Sequence, residues 1–141
     1  MKWDFLMGKT RSEDFTLDES MVWNEDGDVI NYHLISTSSL LSLVHKVGYD
    51  LLDKFLPLNM TSVVLETCAR HVKPVKAGDK VAIGVRVVGV DENRVRLRGI
   101  VMSGDEKILE VEFTRIIVSK NYLRRVSIEK AEKVLRLPRI L

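Results

Sequence analysis

Between residues 36 and 56 the apolar positions recur every three or four residues, the spacing of one face of an α-helix. Polar side chains fill the opposite face. Hydroxyl side chains at 36–39 favour a helix start there, and Pro57 cannot continue a helix. The sequence therefore predicts a long amphipathic helix over 36–56. Its apolar face comprises Leu40, Leu41, Val44, Val47, Gly48, Leu51, Leu52 and Phe55.

Gly48 lies in the middle of this apolar face. Glycine inside a helix costs about 1 kcal/mol relative to alanine, so its presence favours a close approach of a neighbouring element. We therefore expect the helix to press tightly onto a sheet.

After Pro57 the period of the apolar positions becomes two, which is typical of half-buried β-strands. The short connections DEN and SGDE favour antiparallel hairpins, so the pattern predicts four antiparallel strands within 61–118. The predicted inward residues are Val63, Leu65, Thr67, Ala69 and His71; Val81, Ile83, Val85 and Val87; Val95, Leu97, Gly99 and Val101; and Leu109, Val111 and Phe113. The outward face is expected to carry cross-strand ion pairs between Arg86, Arg96 and Arg98 and Glu110 and Glu112.

The two ends of the chain carry weaker patterns. Residues 1–34 are predicted to form a strand and a segment that packs over the sheet or covers a pocket. Residues 121–141 are predicted to form a short amphipathic helix, ended by Pro138, and a tail. No repeat or linker divides the chain, so 1–141 is predicted to be a single α+β domain.

Composition narrows the class of protein. Apolar residues make up 45% of the chain and charged residues 30%, with a net charge of +2. This balance argues against disorder and against a strongly electrostatic nucleic-acid partner.

No stretch reaches the roughly 20 apolar residues of a membrane span, and the first residues are too polar for a secretory signal. One cysteine, Cys68, cannot form an internal disulfide. We therefore expect a cytoplasmic protein without nucleic-acid or membrane partners. The absence of glutamine and the abundance of charged residues are typical of proteins from hot environments.

Three side chains are candidates for catalysis. Thr37 and His45 lie in the first half of the predicted helix, and His71 lies near the end of a predicted strand. A hydroxyl and two imidazoles in one pocket could form a hydrolytic site, because a neutral histidine can act as a base near pH 7. Backbone N–H groups at the helix start could stabilise an oxyanion.

Each candidate also has a simpler interpretation. Thr37 could be the helix N-cap, His45 a half-exposed polar residue, and His71 a core histidine with its hydrogen bonds satisfied. Two histidines could bind a metal, but no third ligand lies at a recognisable spacing, so no metal site is predicted. Cys68 is predicted on the strand face opposite His71, which argues against a cysteine nucleophile. His33 either lines the same entrance or lies on the surface.

Two segments resemble motifs of the fluoroacetyl-CoA thioesterase-like hotdog family: 36–56, STSSLLSLVHKVGYDLLDKFL, and 69–81, ARHVKPVKAGDKV. The first resembles the family's Ser/Ala-Thr helix, in which a glutamate follows the threonine by eight residues, as His45 follows Thr37 here. The second resembles its Thr-His strand and Pro-x-Gly turn. The resemblance covers about residues 35–118. It implies a hotdog fold, in which a curved antiparallel sheet wraps around a long central helix.

By this resemblance Thr37 matches a threonine that assists attack on a thioester carbonyl, and His71 matches a histidine that moves protons. His45 occupies the position of the family's catalytic glutamate. The resemblance implies an acyl-CoA thioesterase, with no cofactor beyond the CoA of its substrate, and a homodimer with its sites at the interface. The change at His45 keeps open a non-catalytic acyl-CoA or small-ligand binding protein. No residue supports a hydratase-like or purely structural hotdog protein.

The predicted substrate-binding residues are Gly48, Lys73, Lys76 and Gly78. The lysines around the Gly78 turn could contact the phosphates of CoA, although a lysine-rich turn can also simply be solvated.

Overall fold

A computed structural model gives the fold of residues 2–136. One α-helix precedes four of the five strands, and a second α-helix follows them. The elements are β1 (Thr10–Thr16), α1 (Thr37–Asp53), β2 (Met60–His71), β3 (Lys80–Asp91), β4 (Arg94–Ser103), β5 (Glu106–Ser119) and α2 (Lys120–Arg136). The strands form one antiparallel sheet in the order β1-β3-β4-β5-β2. Three short 3-10 turns lie at Asp4–Leu6, Glu19–Met21 and Ile30–Tyr32.

Helix α1 packs on one face of this sheet, and the hydrophobic core lies between them. All the predicted inward residues of β3, β4 and β5 are buried, which confirms the alternation of those strands. The helix starts as predicted, because Ser36 is its N-cap: the Ser36 Oγ accepts the backbone N–H of Ser39 at 3.1 Å. The helix ends at Asp53, before the predicted boundary at 56.

The tight packing predicted at Gly48 is confirmed. A Cβ atom at this position would lie 2.7 Å from the Cζ of Phe113, well inside van der Waals contact. The ring of Phe113 therefore occupies the space that any side chain at Gly48 would need, which accounts for a glycine in mid-helix.

The prediction that Val63 and Leu65 share a face with His71 is wrong. A β-bulge interrupts β2, so that Val64 pairs with Arg115 and the next paired residue is Glu66. Leu65 is the extra residue of the bulge, and the alternation of β2 changes phase there. The helix-facing residues of β2, opposite buried residues of β5, are Ser62, Val64, Thr67, Ala69 and His71.

Strand β2 lies at one edge of the sheet and pairs only with β5. Residues 63–70 are all exposed, including Val63 at 37% and Leu65 at 48%. One backbone edge of β2 and much of its apolar surface are therefore available to another strand.

The N-terminal segment contributes to the core in a way that the sequence did not indicate. Trp3 and Leu6 are buried, whereas their apolar neighbours Phe5 and Met7 are exposed. The predicted strand in 1–34 is confirmed as β1, and Leu17 is buried directly after it.

At the other end, α2 begins at Lys120, one residue before the predicted start. Pro138 lies outside the described residues, so its predicted role in ending the helix stays a prediction, as does the assignment of 1–141 to one domain.

The outward face of the sheet carries the ion pairs expected of a solvated surface. The Nη2 of Arg98 lies 2.7 Å from the Oε1 of Glu112, as predicted. Glu110 instead pairs with Arg70 and Lys107. In the part of the chain that the structure describes, no helix is both long and apolar enough to cross a membrane.

Candidate active site

A cleft of about 580 Å³ opens at the N-terminal end of α1. The start of the helix, the end of β2 and the segment before the helix form its walls. Its lining residues are Trp23, Glu25, Leu34, Ile35, Ser36, Thr37, Ser38, Leu41, His71 and Pro74. Two of the three predicted catalytic residues, Thr37 and His71, therefore share one cavity.

These two side chains are in direct contact. The Oγ1 of Thr37 lies 2.8 Å from the Nδ1 of His71, a hydrogen bond whose donor depends on the histidine tautomer. Thr37 is the first residue of α1, and the cap is Ser36. The simpler interpretation of Thr37 as the N-cap is thus wrong, and its hydroxyl is free to pair with the imidazole.

The other ring nitrogen of His71 has no partner. Among the described residues, Nε2 of His71 is the one buried side-chain nitrogen or oxygen without a hydrogen bond. When Nδ1 accepts the Thr37 hydroxyl proton, Nε2 carries the ring proton and needs an acceptor. His71 is therefore not a core histidine with both nitrogens satisfied. A hydroxyl and an imidazole are thus paired in the cleft, and no group among residues 2–136 accepts a hydrogen bond from Nε2 of His71.

His45 lies elsewhere. Its Nε2 lies 3.2 Å from the Oγ1 of Thr67, and its ring lies against Phe113 with centroids 5.1 Å apart. Eight residues of helix separate His45 from Thr37, about 12 Å at 1.5 Å per residue. The structure therefore brings Thr37 and His71 together but does not bring His45 to them within one chain.

Arg115 lies beneath His45 and fixes the helix to the sheet. Its guanidinium donates to the Ser62 Oγ at 2.8 Å, to the Ser62 carbonyl at 2.9 Å and to the His45 carbonyl at 3.2 Å. Arg115 is buried, and no Asp or Glu among residues 2–136 forms an ion pair with it. Burial of the imidazole and, second, the positive charge of Arg115 hold the pKa of His45 below its usual range. His45 is accordingly neutral near pH 7, with one ring nitrogen able to accept a hydrogen bond.

The sequence analysis missed Arg115, although a signal was present. The inward alternation of Leu109, Val111 and Phe113 continues to position 115, where an arginine interrupts an apolar series. A charged residue at an inward position predicts a buried polar cluster.

The predicted lysines lie outside the cleft. Lys73 forms an ion pair with Glu106 at 3.4 Å, and the backbone N–H of Lys76 donates to the Oδ2 of Asp79 at 2.9 Å. Gly78 has φ +95°, the left-handed conformation that makes glycine necessary in this turn. Contacts of Lys73, Lys76 and Gly78 with CoA therefore stay predictions.

Gly48 and His33 are also outside the cleft lining. Gly48 is buried and packs against Phe113. Its predicted contact with the substrate stays a prediction. The Nδ1 of His33 lies 2.9 Å from the Oε2 of Glu19, and the side chain is exposed. Of the two alternatives for His33, the surface position is the one observed.

Trp23 and Glu25 are cleft residues that the sequence analysis did not find. The indole N–H of Trp23 donates to the Oε1 of Glu25 at 2.8 Å. The segment that carries them is attached to the residues just before the helix. Val22 forms an antiparallel β-bridge with Ile35, and the backbone N–H of Trp23 donates to the Leu34 carbonyl at 2.7 Å. No periodic pattern marks these residues, since Trp23 lies in an irregular stretch after a 3-10 turn and Glu25 lies in a bend.

The start of α1 adds polar groups to the cleft. The first backbone N–H groups of a helix have no carbonyl one turn back, and Thr37 and Ser38 line the cleft at this point. Such donors are suited to an oxyanion or a polarised carbonyl. Within residues 2–136 no group of three or more His, Cys, Asp or Glu side chains is arranged to hold a metal ion.

A five-stranded antiparallel sheet packed against a long central helix is the architecture of a hotdog protein. A hot-dog-like protein from Thermanaerovibrio acidaminovorans has the same fold, with a TM-score of 0.85, 23% identity and coverage of 92% of this chain and 97% of that one. A Thermus thermophilus protein described as a thioesterase superfamily member also gives a TM-score of 0.85, at 15% identity over 93% of this chain and 96% of that one. The predicted hotdog fold is confirmed.

The sequence also identifies the family. The family model for the fluoroacetyl-CoA-specific thioesterase matches residues 17–121, and this chain belongs to that family. A solved structure of the fluoroacetyl-CoA thioesterase gives a TM-score of 0.77 at 14% identity, covering 94% of this chain and 97% of that one. A related structure of that enzyme contains fluoroacetate and CoA. A search of curated proteins finds no match to this chain.

Proposed function

We propose that this protein hydrolyses an acyl-CoA thioester with Thr37 and His71 in the cleft at the start of α1. One observation carries the proposal: the Thr37 hydroxyl and the His71 Nδ1 lie 2.8 Å apart in that cleft. A hydroxyl beside an imidazole is the arrangement that acyl transfer requires. Membership of a thioesterase family supports the choice of substrate.

In the proposed reaction, the Nδ1 of His71 accepts a proton as an oxygen nucleophile attacks the thioester carbonyl. The backbone N–H groups at the start of α1 stabilise the oxyanion of the tetrahedral intermediate. Collapse of the intermediate breaks the carbon–sulfur bond, and the proton held by His71 goes to the departing CoA thiolate. Water is the final nucleophile, and transient capture of the acyl group by Thr37 is the alternative route.

The proposed enzyme is a homodimer joined through β2. The exposed apolar edge of β2 supports this, because an edge strand with free backbone groups pairs readily with a copy of itself. The lone Nε2 of His71 supports it as well, since an acceptor from a second copy would complete the base. Antiparallel pairing centred on Ala69 would place Thr67 of the second copy opposite His71.

This arrangement gives His45 a role that one chain does not allow. Within each chain, His45 contacts Thr67. Because Thr67 of the second copy would lie opposite His71, the neutral imidazole of His45 in that second copy would lie near the Nε2 of His71. We propose that His45 thus replaces the family's glutamate from across the dimer interface, as the acceptor that orients His71.

The alternative is a non-catalytic acyl-CoA binding protein. It is favoured by the presence of His45 at the position where the family has its catalytic glutamate. A panel of acyl-CoAs, assayed for turnover and for binding by calorimetry, separates the two functions. The His71→Ala variant should lose turnover by about 100-fold or more if His71 is the base, while His33→Ala, an exposed histidine outside the cleft, should retain it. Tight binding without turnover in the wild-type protein would favour the binding protein.

A further inference from the structure

We propose that Glu25 makes the cleft select acyl groups by charge, so that chains ending in a cationic amine bind in preference to neutral chains and anionic chains are rejected. The proposal rests on the proposed function, because it names which acyl groups that site would take. Nothing in the Thr37–His71 pair itself discriminates charge, so the selection would come from Glu25, which lines the same cleft.

Among the described residues that line the cleft, Glu25 is the only Asp, Glu, Lys or Arg. Its Oε1 accepts the indole N–H of Trp23 at 2.8 Å. No cation among residues 2–136 forms an ion pair or hydrogen bond with this carboxylate. The wall therefore carries a full negative charge that the described part of the protein does not neutralise.

The position of Glu25 is fixed by the backbone on both sides of it. Before it, the Val22–Ile35 bridge and the Trp23–Leu34 hydrogen bond attach the chain to the helix start. After it, the Asp26 carboxylate accepts the backbone N–H of Asp28 at 2.8 Å and closes a turn. The backbone around Glu25 is thus fixed, and its carboxylate is oriented by the Trp23 indole, which lowers the cost of ordering it for a ligand.

The residues beside Glu25 suit the same ligand. Trp23, Leu34, Leu41 and Pro74 supply apolar surface for the methylene groups of a short acyl chain. The face of an indole ring also attracts a cation within about 6 Å of its centroid. An aliphatic chain that ends in an ammonium group would therefore match both the apolar wall and the charge.

The size of the effect follows from the exposure of the site. Glu25 is exposed, so its field acts through a dielectric close to that of water. Two opposite charges about 4 Å apart in bulk water attract by somewhat under tenfold in affinity, and by more in a partly enclosed cleft. We therefore expect a charge preference of about tenfold, decreasing at high salt because the interaction is screened.

Three thioether analogues of similar length test the inference without requiring turnover: S-aminopropyl-CoA, S-butyl-CoA and S-carboxypropyl-CoA. Calorimetry with the full-length wild-type protein should give the tightest binding for the amine and the weakest for the carboxylate, with about tenfold between these two. The Glu25→Gln variant should bind all three within about twofold of one another, because its amide still accepts the Trp23 N–H but carries no charge. Glu19→Gln, in the same segment but paired with His33 outside the cleft, should keep the wild-type order.

Equal binding of the three analogues by the wild-type protein would overturn the inference, as would a preference that survives in Glu25→Gln. Turnover of acyl-CoAs is measured separately and tests the proposed function. A charge preference without any turnover would leave the inference standing and count against catalysis. If none of the analogues binds, the cleft is not an acyl-CoA site and both fail.

Discussion

The Oγ1 of Thr37 lies 2.8 Å from the Nδ1 of His71, although 34 residues separate them in the sequence. The helix start and the strand end that carry them are held together by the core between α1 and the sheet. Their contact is therefore a product of the whole fold.

The first prediction concerns the hydroxyl of Thr37. Thr37→Ala should lower kcat by about 100-fold, because it removes the group that pairs with the base, and Thr37→Ser should retain activity within about tenfold. Ser42→Ala, on the exposed face of α1, should leave kcat unchanged. Steady-state kinetics on the best acyl-CoA measure this, and wild-type kcat in Thr37→Ala would remove the hydroxyl from the mechanism.

A second prediction follows from the lowered pKa of His45. Burial favours the neutral imidazole in the folded protein, whereas the unfolded chain takes up a proton at its ordinary pKa. As pH falls through that ordinary value, protons bind the unfolded state first, so the free energy of unfolding should decrease between about pH 7.5 and 5. His45→Gln should remove this part of the pH dependence.

Urea unfolding at a series of pH values measures the effect. His33→Gln is the matched control, because it makes the same substitution at an exposed histidine that does not contact Arg115 or Phe113. If the free energy of unfolding changes with pH equally in His45→Gln and in the wild-type protein, the pKa of His45 is not lowered by folding.

The third prediction tests the packing at Gly48. Gly48→Ala should destabilise the protein by about 1–3 kcal/mol despite the better helix propensity of alanine, because the new Cβ would overlap the Phe113 ring. Adding Phe113→Leu should recover part of the loss, since a smaller side chain leaves room for the methyl group. Thermal unfolding of the single and double variants measures the coupling.

The sequence was sufficient to predict the fold and to bring Thr37 and His71 into consideration together, but it did not predict the path of β2 or the position of Glu25. The pattern of α1 and of β3 to β5 repeats over many residues, so a single irregularity does not change the prediction. In β2, by contrast, one inserted residue at Leu65 reverses which side chains face the helix, and no local signal marks a bulge. The separation of His45 from Thr37 follows from helix geometry alone, at about 1.5 Å per residue. Trp23 and Glu25 lie in an irregular segment whose path depends on contacts with Leu34 and Ile35.

A fourth prediction addresses the dimer. Ala69→Lys places a charge on the exposed edge of β2, where a single chain would tolerate it. In the proposed dimer two such charges meet near the axis, so the variant should be largely monomeric and should lose most of its activity. Leu58→Lys, 93% exposed and outside the strand, adds the same charge and should remain dimeric. Sedimentation velocity measures the state, and a wild-type protein that is active as a monomer would contradict the proposal.

The last prediction asks which chain supplies His45 to the site. Thr37→Ala and His45→Ala should each be weakly active alone. If His45 acts across the interface, one of the two sites in a mixed dimer has both a wild-type Thr37 and a wild-type His45. If His45 acts within its own chain, neither site of a mixed dimer has both. Random re-pairing of equal amounts makes half of the dimers mixed, so about a quarter of the wild-type activity should return. Refolding the two variants together and assaying the mixture measures this. Mixing Thr37→Ala with His71→Ala is the control, because their contact lies within one chain and no complete site can form. Activity that stays at the level of the separate variants would place His45 outside the neighbouring site.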